Sequence, residues 1–385
     1  MKKEVLEQID GFQDIRREIV AARKYGSDFI QEKGRVQQFI QMLHPKKLAM
    51  RVDGIIDETP STRTLRLVPE QAFLPPFIAG QYITVFVTVG GVKTARPYSI
   101  SSPPNQRGYY AITVRRIPGG LVSAYLVDRI KKGDKMEISG PQGHFYHNPV
   151  FQPEKRVLIA GGSGITPFMS MIREASDCGL DHDIRLIYGN RSIEDVIFHK
   201  EIDHISSEMA NISYTPVIED PPEGYRGEKG VITTEVIKRV AGRTEDKTFF
   251  LCGPPAMYDF CLPELEKLQI PRKRIRKEMY GMPDHIWEFP GWPEDVDGSD
   301  FFTVRVNGGE SVQARAADPL IKSLENKGVS VPCNCRSGEC SMCRVRIASG
   351  HVFQPPGVPV RRSDTAFGYV HSCAAFPVSD LEITI

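Results

Sequence analysis

The sequence lacks an excess of either charge. It has 49 lysines and arginines against 48 aspartates and glutamates, a formal net charge of +1 over 385 residues. Proteins that bind nucleic acid concentrate basic residues to neutralise phosphates, so we expect no nucleic-acid partner. Hydrophobic residues make up 41% and charged residues 25%, as in ordinary globular proteins. At roughly 150 residues per domain, the length predicts two or three domains.

The sequence also lacks a long uninterrupted apolar run. The longest uncharged stretch, residues 71–92, is broken by Pro75, Pro76, Gly80 and Gly90, whereas a membrane-spanning helix needs about 20 apolar residues in succession. The first ten residues, MKKEVLEQID, contain no apolar signal-peptide core. We therefore expect a soluble, cytoplasmic protein that does not contact a membrane.

Cysteine is scarce but unevenly placed. The chain has eight cysteines, too few for a disulfide scaffold, and five of them fall within residues 333–385. Four follow the spacing C-x4-C-x2-C-x29-C, which is typical of plant-type [2Fe–2S] ferredoxins. The predicted metal ligands are Cys335, Cys340, Cys343 and Cys373.

The cysteine loop is rich in small residues. Ser337, Gly338 and Ser341 allow backbone N–H groups to turn toward the sulfur atoms and stabilise the negative charge of a cluster. A structural zinc site is the alternative, but zinc prefers pairs of C-x2-C, and only one such pair occurs. Cys333 lies outside the spacing and is interpreted as a spare thiol.

The residues around the cysteines predict a small mixed fold. Alternating strands over residues 301–306 and 311–316 flank an Asn-Gly-Gly turn, and the last five residues read as another strand. Asp318 is expected to cap a short helix that ends near Lys327. Together with the cysteine spacing, this pattern resembles the β-grasp fold of plant-type ferredoxins.

A second motif indicates a nucleotide site. An apolar strand at residues 156–160 leads into GGSGITP and then a helical pattern. A strand, a glycine turn and a helix present backbone N–H groups to a pyrophosphate, although the sequence reads G-x-G-x-x-P and a plain strand–helix turn is the alternative. Two further strands end in YGNRS and CGPPAM. Alternating strands and helices over about 154–270 predict a doubly wound parallel α/β domain.

The segment from residue 48 to 145 has a different pattern. Short alternating strands are separated by glycine and proline, which predicts an antiparallel β-barrel. Six motifs then follow in order along the chain: RPYSI, GGLVSAYL, GPQGHF, GGSGITP, YGNRS and LCGPPAMY. Together they resemble the ferredoxin–NADP reductase superfamily. With the cysteine domain, residues 48–385 resemble flavin and iron–sulfur reductases of bacterial oxygenase systems.

The resemblance implies a multidomain organisation. We expect a helical N-terminal extension at 1–45, an FAD-binding β-barrel at 46–150, an NAD(P)-binding α/β domain at 151–280, a linker at 281–299 and a plant-type [2Fe–2S] ferredoxin domain at 300–385. In the extension, two sets of apolar residues recur at helical spacing, the second less regularly: Leu6, Ile9, Phe12, Ile15 and Ile19, then Phe29, Val36, Phe39, Ile40 and Leu43. These two patterns predict one or two amphipathic helices. These helices are interpreted as a docking element, a dimer contact or a cover for the protein's own surface.

The resemblance also implies residue roles. Arg96 would pair with a flavin phosphate, Tyr98 would stack on the isoalloxazine, and Ser99 would hydrogen-bond near its N5 atom. Cys252 would border the nicotinamide, and Tyr280, two residues after Glu278, would either cover the flavin or belong to the linker. The full implied flavin set is Arg96, Pro97, Tyr98, Ser99, Gly119, Gly120, Leu121, Val122 and Ser123. The implied nucleotide set is Gly161, Gly162, Gly164, Thr166, Pro167, Arg191, Cys252 and Gly253.

These expectations combine into one function. A nicotinamide releases two electrons as a hydride, whereas a [2Fe–2S] cluster accepts one, so a flavin must stand between them. The resemblance implies FAD, with FMN as the alternative, and a protein acceptor such as an oxygenase component or another metalloprotein. NADH and NADPH both stay open. The second hypothesis is an electron-carrying subunit that docks into a larger redox complex through its N-terminal helices.

Overall fold

The computed structural model describes residues 12–25, 40, 42–43, 45–70, 73–279, 281–282, 285–338, 340–356, 358 and 360–385. The chain divides into two compact units, Met1–Lys46 and Lys47–Ile385. Within the described residues, no helix is both long and apolar enough to cross a membrane.

The first unit contains helix α1 (Phe12–Tyr25). Ile15 and Ile19 of the predicted amphipathic pattern lie on this helix, whereas Leu6 and Ile9 lie outside the described residues. Of the second predicted pattern, Ile40 and Leu43 are described as helical, and Phe29, Val36 and Phe39 lie outside the described residues. The prediction of a helical extension is confirmed for α1.

The second unit begins with the predicted antiparallel barrel. Six strands follow the order β4-β3-β6-β1-β2-β5, and a bridge between Ile100 and Ile112 connects the two ends of this order. The short helix α2 packs against the barrel through Leu126, which is fully buried. The elements are β1 (Leu48–Thr59), β2 (Thr62–Pro69), β3 (Tyr82–Val89), β4 (Val92–Ser99), β5 (Tyr110–Arg115), α2 (Leu121–Asp128) and β6 (Lys135–Ile138).

A parallel sheet follows, as the strand–helix alternation predicts. Its strand order is β10-β9-β8-β7-β11-β12, and apolar side chains of the central strands are buried on both faces, as in doubly wound domains. The elements are β7 (Lys155–Gly161), α3 (Ile165–Asp177), β8 (Ile184–Asn190), α4 (His199–Glu208), β9 (Ile212–Ile218), β10 (Glu228–Lys229), α5 (Thr234–Ala241), β11 (Lys247–Gly253), α6 (Pro255–Lys267) and β12 (Ile275–Met279).

The C-terminal part forms a five-stranded mixed sheet with the order β14-β13-β19-β15-β17, and β16 and β18 pair separately. In the predicted turn, Asn307 and Gly308 both have positive φ, as a type I′ hairpin requires. The elements are β13 (Phe301–Val306), β14 (Ser311–Arg315), α7 (Leu320–Asn326), β15 (Arg344–Ser349), β16 (Val352–Phe353), α8 (Arg362–Ala366), β17 (Tyr369–His371), β18 (Phe376–Pro377) and β19 (Leu381–Thr384).

One local prediction in this part is wrong. Pro319 occupies the N-cap position of α7, and no side chain caps that end of the helix. Asp318 lies one residue earlier, and its carboxylate instead accepts a hydrogen bond from Lys322, with 2.6 Å between Oδ1 and Nζ. A proline has a fixed φ and no N–H, which suits it to the start of a helix, so the helix begins after Pro319.

The linker is anchored on the cysteine domain. Ile286 is fully buried and packs with Phe353 and Phe376. The Trp292 ring lies 5.2 Å from the Phe353 ring, and its Nε1 donates to the Val296 carbonyl at 2.7 Å. Buried apolar contacts therefore hold the linker against the cysteine domain, although the linker is rich in proline and glycine.

Candidate functional site

One cavity of about 580 Å³ is lined by residues of the barrel, the parallel-sheet domain and the cysteine domain. It brings together Tyr98 of the barrel, Gly162 of the glycine turn and Cys373 of the cysteine domain. The predicted site residues that line it are Arg96, Pro97, Tyr98, Ser99, Gly120, Leu121, Val122, Ser123, Gly161, Gly162, Thr166, Gly253 and Cys373.

Several predicted residues do not line this cavity. Cys252 is fully buried behind Gly253 at the end of β11, and Arg191 lies on the surface. Gly119, Gly164 and Pro167 flank the lining residues, and Cys335, Cys340 and Cys343 are not among them. Tyr280 lies outside the described residues.

The start of helix α2 forms one wall. Gly119 has a φ of +69°, which turns the chain so that Gly120 becomes the N-cap. A Cβ atom on Gly120 would come within 2.5 Å of the Ser123 Oγ, so only glycine fits. The first N–H groups of a helix have no partner within the helix, and here they border the cavity. This wall suits the phosphates of a flavin nucleotide.

The glycine turn after β7 forms the facing wall. Gly162 has a φ of +51° and is followed by a single 3₁₀ turn that leads into α3. A Cβ atom on Gly164 would lie 2.0 Å from the Cys252 carbonyl oxygen, so the close approach of helix and strand requires glycine. Thr166 Oγ1 donates to the Ser163 carbonyl at 2.7 Å and fixes the turn. This arrangement matches a dinucleotide pyrophosphate site.

Ser99 and Cys252 are connected through Glu278. The Ser99 hydroxyl donates to Glu278 Oε2 at 3.4 Å, and Glu278 pairs with Cys252 in the register between β11 and β12. The Tyr258 hydroxyl also donates to the Glu278 carbonyl oxygen. The side chains of Ser99 and Glu278 are expected near the reacting positions of the flavin ring. Strand pairing holds the backbone of Glu278 and limits the movement of both side chains.

Tyr98 stands beside this group on β4. Its ring is half-buried, and burial raises the pKa of its hydroxyl, with a smaller opposing effect from Arg96. The phenol consequently stays neutral at physiological pH. A neutral aromatic face on the cavity wall is suited to stacking on a planar ring.

Arg96 makes an ion pair that the sequence did not predict. Its Nη2 lies 3.2 Å from Oε2 of Glu325, which belongs to α7 of the cysteine domain. Glu325 has only 1% of its side chain exposed and also binds Arg336 of the cysteine loop and the hydroxyl of Thr94. Burial would raise the pKa of Glu325, but Arg336, Arg96 and Thr94 outweigh it and hold that pKa below its ordinary value.

The four cysteines of the spacing motif form two pairs. Cys335 and Cys340 are hydrogen-bonded, as are Cys343 and Cys373. The shared hydrogen bonds lower the pKa of Cys335 and that of Cys343, and they raise the pKa of each partner. Two thiol pairs suit the two irons of a [2Fe–2S] cluster.

Backbone N–H groups in the cysteine loop point at these sulfurs. The N–H of Cys340 donates to the Cys335 sulfur at 3.3 Å, and the N–H groups of Ser337 and Gly338 contact the sulfurs of Cys335 and Cys373. Positive φ angles at Arg336, Gly338 and Ser341 produce these turns. The sequence analysis expected the small residues but not Arg336. The donor set fits a [2Fe–2S] cluster.

Cys333 is buried at the contact between the cysteine domain and the barrel. Its sulfur lies 3.8 Å from the Ala95 carbonyl oxygen and 3.3 Å from Arg336 Nη2. This position agrees with the interpretation of Cys333 as a spare thiol outside the four cysteines of the spacing motif. Its role is packing between two domains.

Arg191 lies at the end of β8 beside the end of β9. Its Nε is 3.1 Å from Oδ2 of Asp220, and hydrogen bonding to that carboxylate raises the pKa of Arg191. The backbone N–H of Asp220 donates to the Arg191 carbonyl at 2.7 Å. Two neighbouring strand ends therefore place an arginine and a carboxylate together, and the sequence analysis noted only the arginine.

Three family models match this chain. They describe an oxidoreductase FAD-binding domain at residues 49–147, an oxidoreductase NAD-binding domain at 158–262 and a 2Fe-2S iron-sulfur cluster binding domain at 304–378. These matches follow the barrel, the parallel sheet and the cysteine domain. They identify the cofactors as FAD, a nicotinamide nucleotide and one [2Fe–2S] cluster.

Named proteins are similar to this chain along most of its length. The glycine betaine monooxygenase reductase subunit of Pseudomonas aeruginosa is 30% identical over 354 residues, which are 87% of this chain and 94% of that protein. NADH oxidoreductase HCR of Escherichia coli is 30% identical over 333 residues, 86% and 96% of the two chains. The solved structure of phthalate dioxygenase reductase covers 88% of this chain and 98% of its own, with 25% identity and a TM-score of 0.62.

Proposed function

Since this chain belongs to the family of FAD- and [2Fe–2S]-containing, nicotinamide-dependent reductases, we propose that it supplies single electrons from NADH to the oxygenase component of a monooxygenase or dioxygenase system. The observation that carries this proposal is the single cavity bordered by the flavin motif, the nucleotide turn and Cys373. Named relatives serve a glycine betaine monooxygenase and a phthalate dioxygenase, which supports an oxygenase as the class of acceptor.

The barrel residues are proposed to hold and orient FAD, which supplies the conversion of a hydride into single electrons. Arg96 and the N–H groups at the start of α2 bind phosphate, and the ring of Tyr98 stacks on the planar ring. Ser99, held by Glu278 at 3.4 Å, presents its hydroxyl at the edge of that ring. Cys252 closes the buried side of the site, and no acid or base on the protein is needed for the hydride step.

The nucleotide turn is proposed to bind the coenzyme. Gly161, Gly162 and Thr166 present the turn and the start of α3 to the pyrophosphate, and Gly164 permits the close packing behind it. We propose NADH as the preferred coenzyme because the Asp220 carboxylate accompanies Arg191 at 3.1 Å. A carboxylate beside Arg191 accepts a hydrogen bond from a ribose hydroxyl and repels a 2′-phosphate.

The cysteine loop is proposed to hold the cluster. Cys335 and Cys340 would bind one iron, and Cys343 and Cys373 the other, since the thiols already lie in these pairs. The inward N–H groups of the loop would stabilise the added negative charge. Domain limits at 46–150, 151–280 and 300–385, with a linker at 281–299, are proposed on the same grounds.

The N-terminal extension at 1–45 is proposed to dock the reductase onto a partner or a second copy. In support, the chain divides into two compact units, Met1–Lys46 and Lys47–Ile385, and α1 carries apolar residues at helical spacing. A chain that starts at residue 46 should keep NADH-driven dye reduction but lose part of its affinity for the partner. We also propose a cytoplasmic location, because none of the eight described cysteines forms a disulfide.

The proposal is tested by purifying the chain and measuring bound flavin, iron and NADH-driven reduction of a one-electron dye. We expect one FAD and two irons per chain, and turnover that continues for many cycles. A chain that binds flavin but reduces the dye only when a further subunit is added would instead support the hypothesis of a docked subunit.

A further inference from the structure

The cysteine loop faces two separate spaces. Arg336 and Cys373 line the cavity that also contains the flavin motif, whereas Ser341 and Met342 line a different surface depression of about 430 Å³. The two spaces share no lining residue. An electron can therefore enter the loop from the flavin side and leave on the other side.

The outer depression has an exposed apolar centre. Met342, between Cys340 and Cys343 in sequence, is 54% exposed, and the neighbouring Phe367 is 70% exposed. Tyr369 also lines this depression and is partly exposed. Large apolar side chains grouped on a surface mark sites where another molecule binds. Methionine, aromatic residues and arginine are the types enriched in protein–protein interfaces.

Four exposed arginines adjoin this centre, namely Arg344, Arg346, Arg361 and Arg362. Arg346 lies opposite Tyr369 in the ladder between β15 and β17, and the Arg344 guanidinium lies 5.7 Å from the centre of the Tyr369 ring. We call Met342, Phe367, Tyr369 and these four arginines the outer patch.

The charge of the outer patch is largely uncompensated. Among the described residues that line the depression, the one carboxylate is Asp364, which is buried and pairs with Arg344 at 2.9 Å. Arg346, Arg361 and Arg362 form no ion pair with any carboxylate that the structure describes. Since the whole chain carries a net charge of only +1, the positive charge here is a local concentration.

We propose that the outer patch is the docking face for the electron acceptor, and that the acceptor presents an apolar centre bordered by carboxylates. This inference rests on the proposed function, because it names the partner of the same cluster. Contact at Met342 would bring the acceptor next to two cluster ligands. Complementary charge would speed encounter and select the partner.

The experiment uses the full-length holoprotein with NADH and two protein acceptors of opposite surface charge. The soluble domain of cytochrome b5 is acidic around its haem edge, and cytochrome c is basic there. The double variant Arg346→Glu/Arg362→Glu should lower kcat/KM for cytochrome b5 by about tenfold and raise it for cytochrome c. For the unchanged protein, kcat/KM for cytochrome b5 should fall as salt rises from about 20 to about 300 mM.

A matched control separates docking from general charge. Arg305 and Lys327 are exposed in the same domain, and Arg305 lies on β13, which β19 separates from β15. The double variant Arg305→Glu/Lys327→Glu changes the net charge equally and should leave both acceptors' kcat/KM within twofold. Equal effects of the two double variants would overturn the docking proposal.

The failures of the two proposals are distinguishable. Flavin bleaching and cluster reduction by NADH in a single turnover should be the same in every variant, and their absence from the unchanged protein would overturn the proposed function itself.

Phe367→Ser should raise KM for cytochrome b5 without changing single-turnover cluster reduction. If it instead changes the sedimentation coefficient, the outer patch is a contact between copies. If the Arg346→Glu/Arg362→Glu variant keeps its kcat/KM for cytochrome b5 and loses only its binding to phosphatidylserine vesicles, the outer patch binds a membrane surface. That result also overturns the proposal.

Discussion

Arg96 of the flavin motif and Glu325 of the cysteine domain form an ion pair, with 3.2 Å between Nη2 and Oε2, although 229 positions separate them in sequence. Glu325 also binds Arg336, which precedes the small residues of the cysteine loop. One buried carboxylate thus connects the residue expected to hold a flavin phosphate with the loop expected to hold the cluster. Docking of the cysteine domain and the shape of the flavin site are therefore coupled.

Replacing Glu325 should destabilise the protein strongly. Glu325→Ala leaves two guanidinium groups without their buried partner, a loss of about 3–5 kcal/mol in the free energy of unfolding. Both tryptophans, Trp287 and Trp292, lie in the linker beside the cysteine domain, so their fluorescence during urea unfolding reports on this part. Asp318→Asn, which breaks the exposed pair with Lys322, should cost less than about 1 kcal/mol. Equal losses would contradict the role given to Glu325.

The Glu325 contribution should also depend on pH. Its pKa is held below the ordinary value in the folded state, so the ion pairs stabilise the protein above the unfolded-state pKa of about 4.3. This stabilisation is lost as the pH falls through the folded-state pKa. The difference in unfolding free energy between the unchanged protein and Glu325→Gln should be constant from neutral pH to about 5 and narrow below about 4.3. A difference that widens on acidification would rule out this explanation.

The Ser99 hydroxyl should affect the rate of hydride transfer and none of the later electron-transfer steps. Ser99→Ala removes the hydroxyl that Glu278 holds at 3.4 Å, and the loss of correct positioning should slow flavin bleaching by NADH by about 10- to 100-fold. Stopped-flow absorbance measures this rate directly. The control is Ser337→Ala, in the cysteine loop and away from the flavin motif, which should leave it unchanged. An unaltered bleaching rate in Ser99→Ala would show that the hydroxyl does not position the reacting groups.

The preference for NADH should depend on Asp220. Asp220→Ala frees Arg191 from its 3.1 Å partner and removes a carboxylate that would repel a 2′-phosphate. The variant also loses the proposed hydrogen bond between the Asp220 carboxylate and a ribose hydroxyl of NADH, and a hydrogen bond to a charged group is worth about 1.5–3 kcal/mol. The ratio of kcat/KM for NADPH to that for NADH should therefore rise at least about tenfold. Steady-state kinetics with both coenzymes provides the measurement. If the preference for NADH is unchanged, another residue selects the coenzyme.

The spacing motif should account for all of the iron. Cys343→Ser removes one of the paired thiols, so the variant should contain no [2Fe–2S] absorbance while it retains FAD. Cys178→Ser, at an exposed position outside the motif, should keep both chromophores. A Cys343→Ser protein with full iron content would contradict the ligand set.

The strand patterns and motif order were sufficient to predict the barrel, the parallel sheet and the cysteine domain, because each depends on local alternation and on glycine turns such as Gly162–Gly164. These features lie close together in sequence, where periodicity and spacing are informative. The placing of Arg96 and Tyr98 at one flavin site came instead from the resemblance of the RPYSI motif to the ferredoxin–NADP reductase superfamily.

Contacts between distant segments could not be predicted in this way. Glu325 looks like an ordinary polar residue on a short helix, and its burial follows only from the docking of that helix against Thr94 and Arg96. Likewise, Asp220 becomes significant only because parallel strands bring its strand end beside Arg191. The cap predicted at Asp318 is wrong for a local reason, since Pro319 occupies the N-cap position directly before the helix.

An anaerobic titration with NADH, followed by absorbance and electron paramagnetic resonance, tests the central claim most directly. The two-electron flavin and the one-electron cluster together should consume about 1.5 equivalents of NADH per chain. The flavin band should bleach, and the signal of one reduced [2Fe–2S] cluster per chain should appear. Complete flavin bleaching with about one equivalent of NADH and no cluster signal would contradict the account.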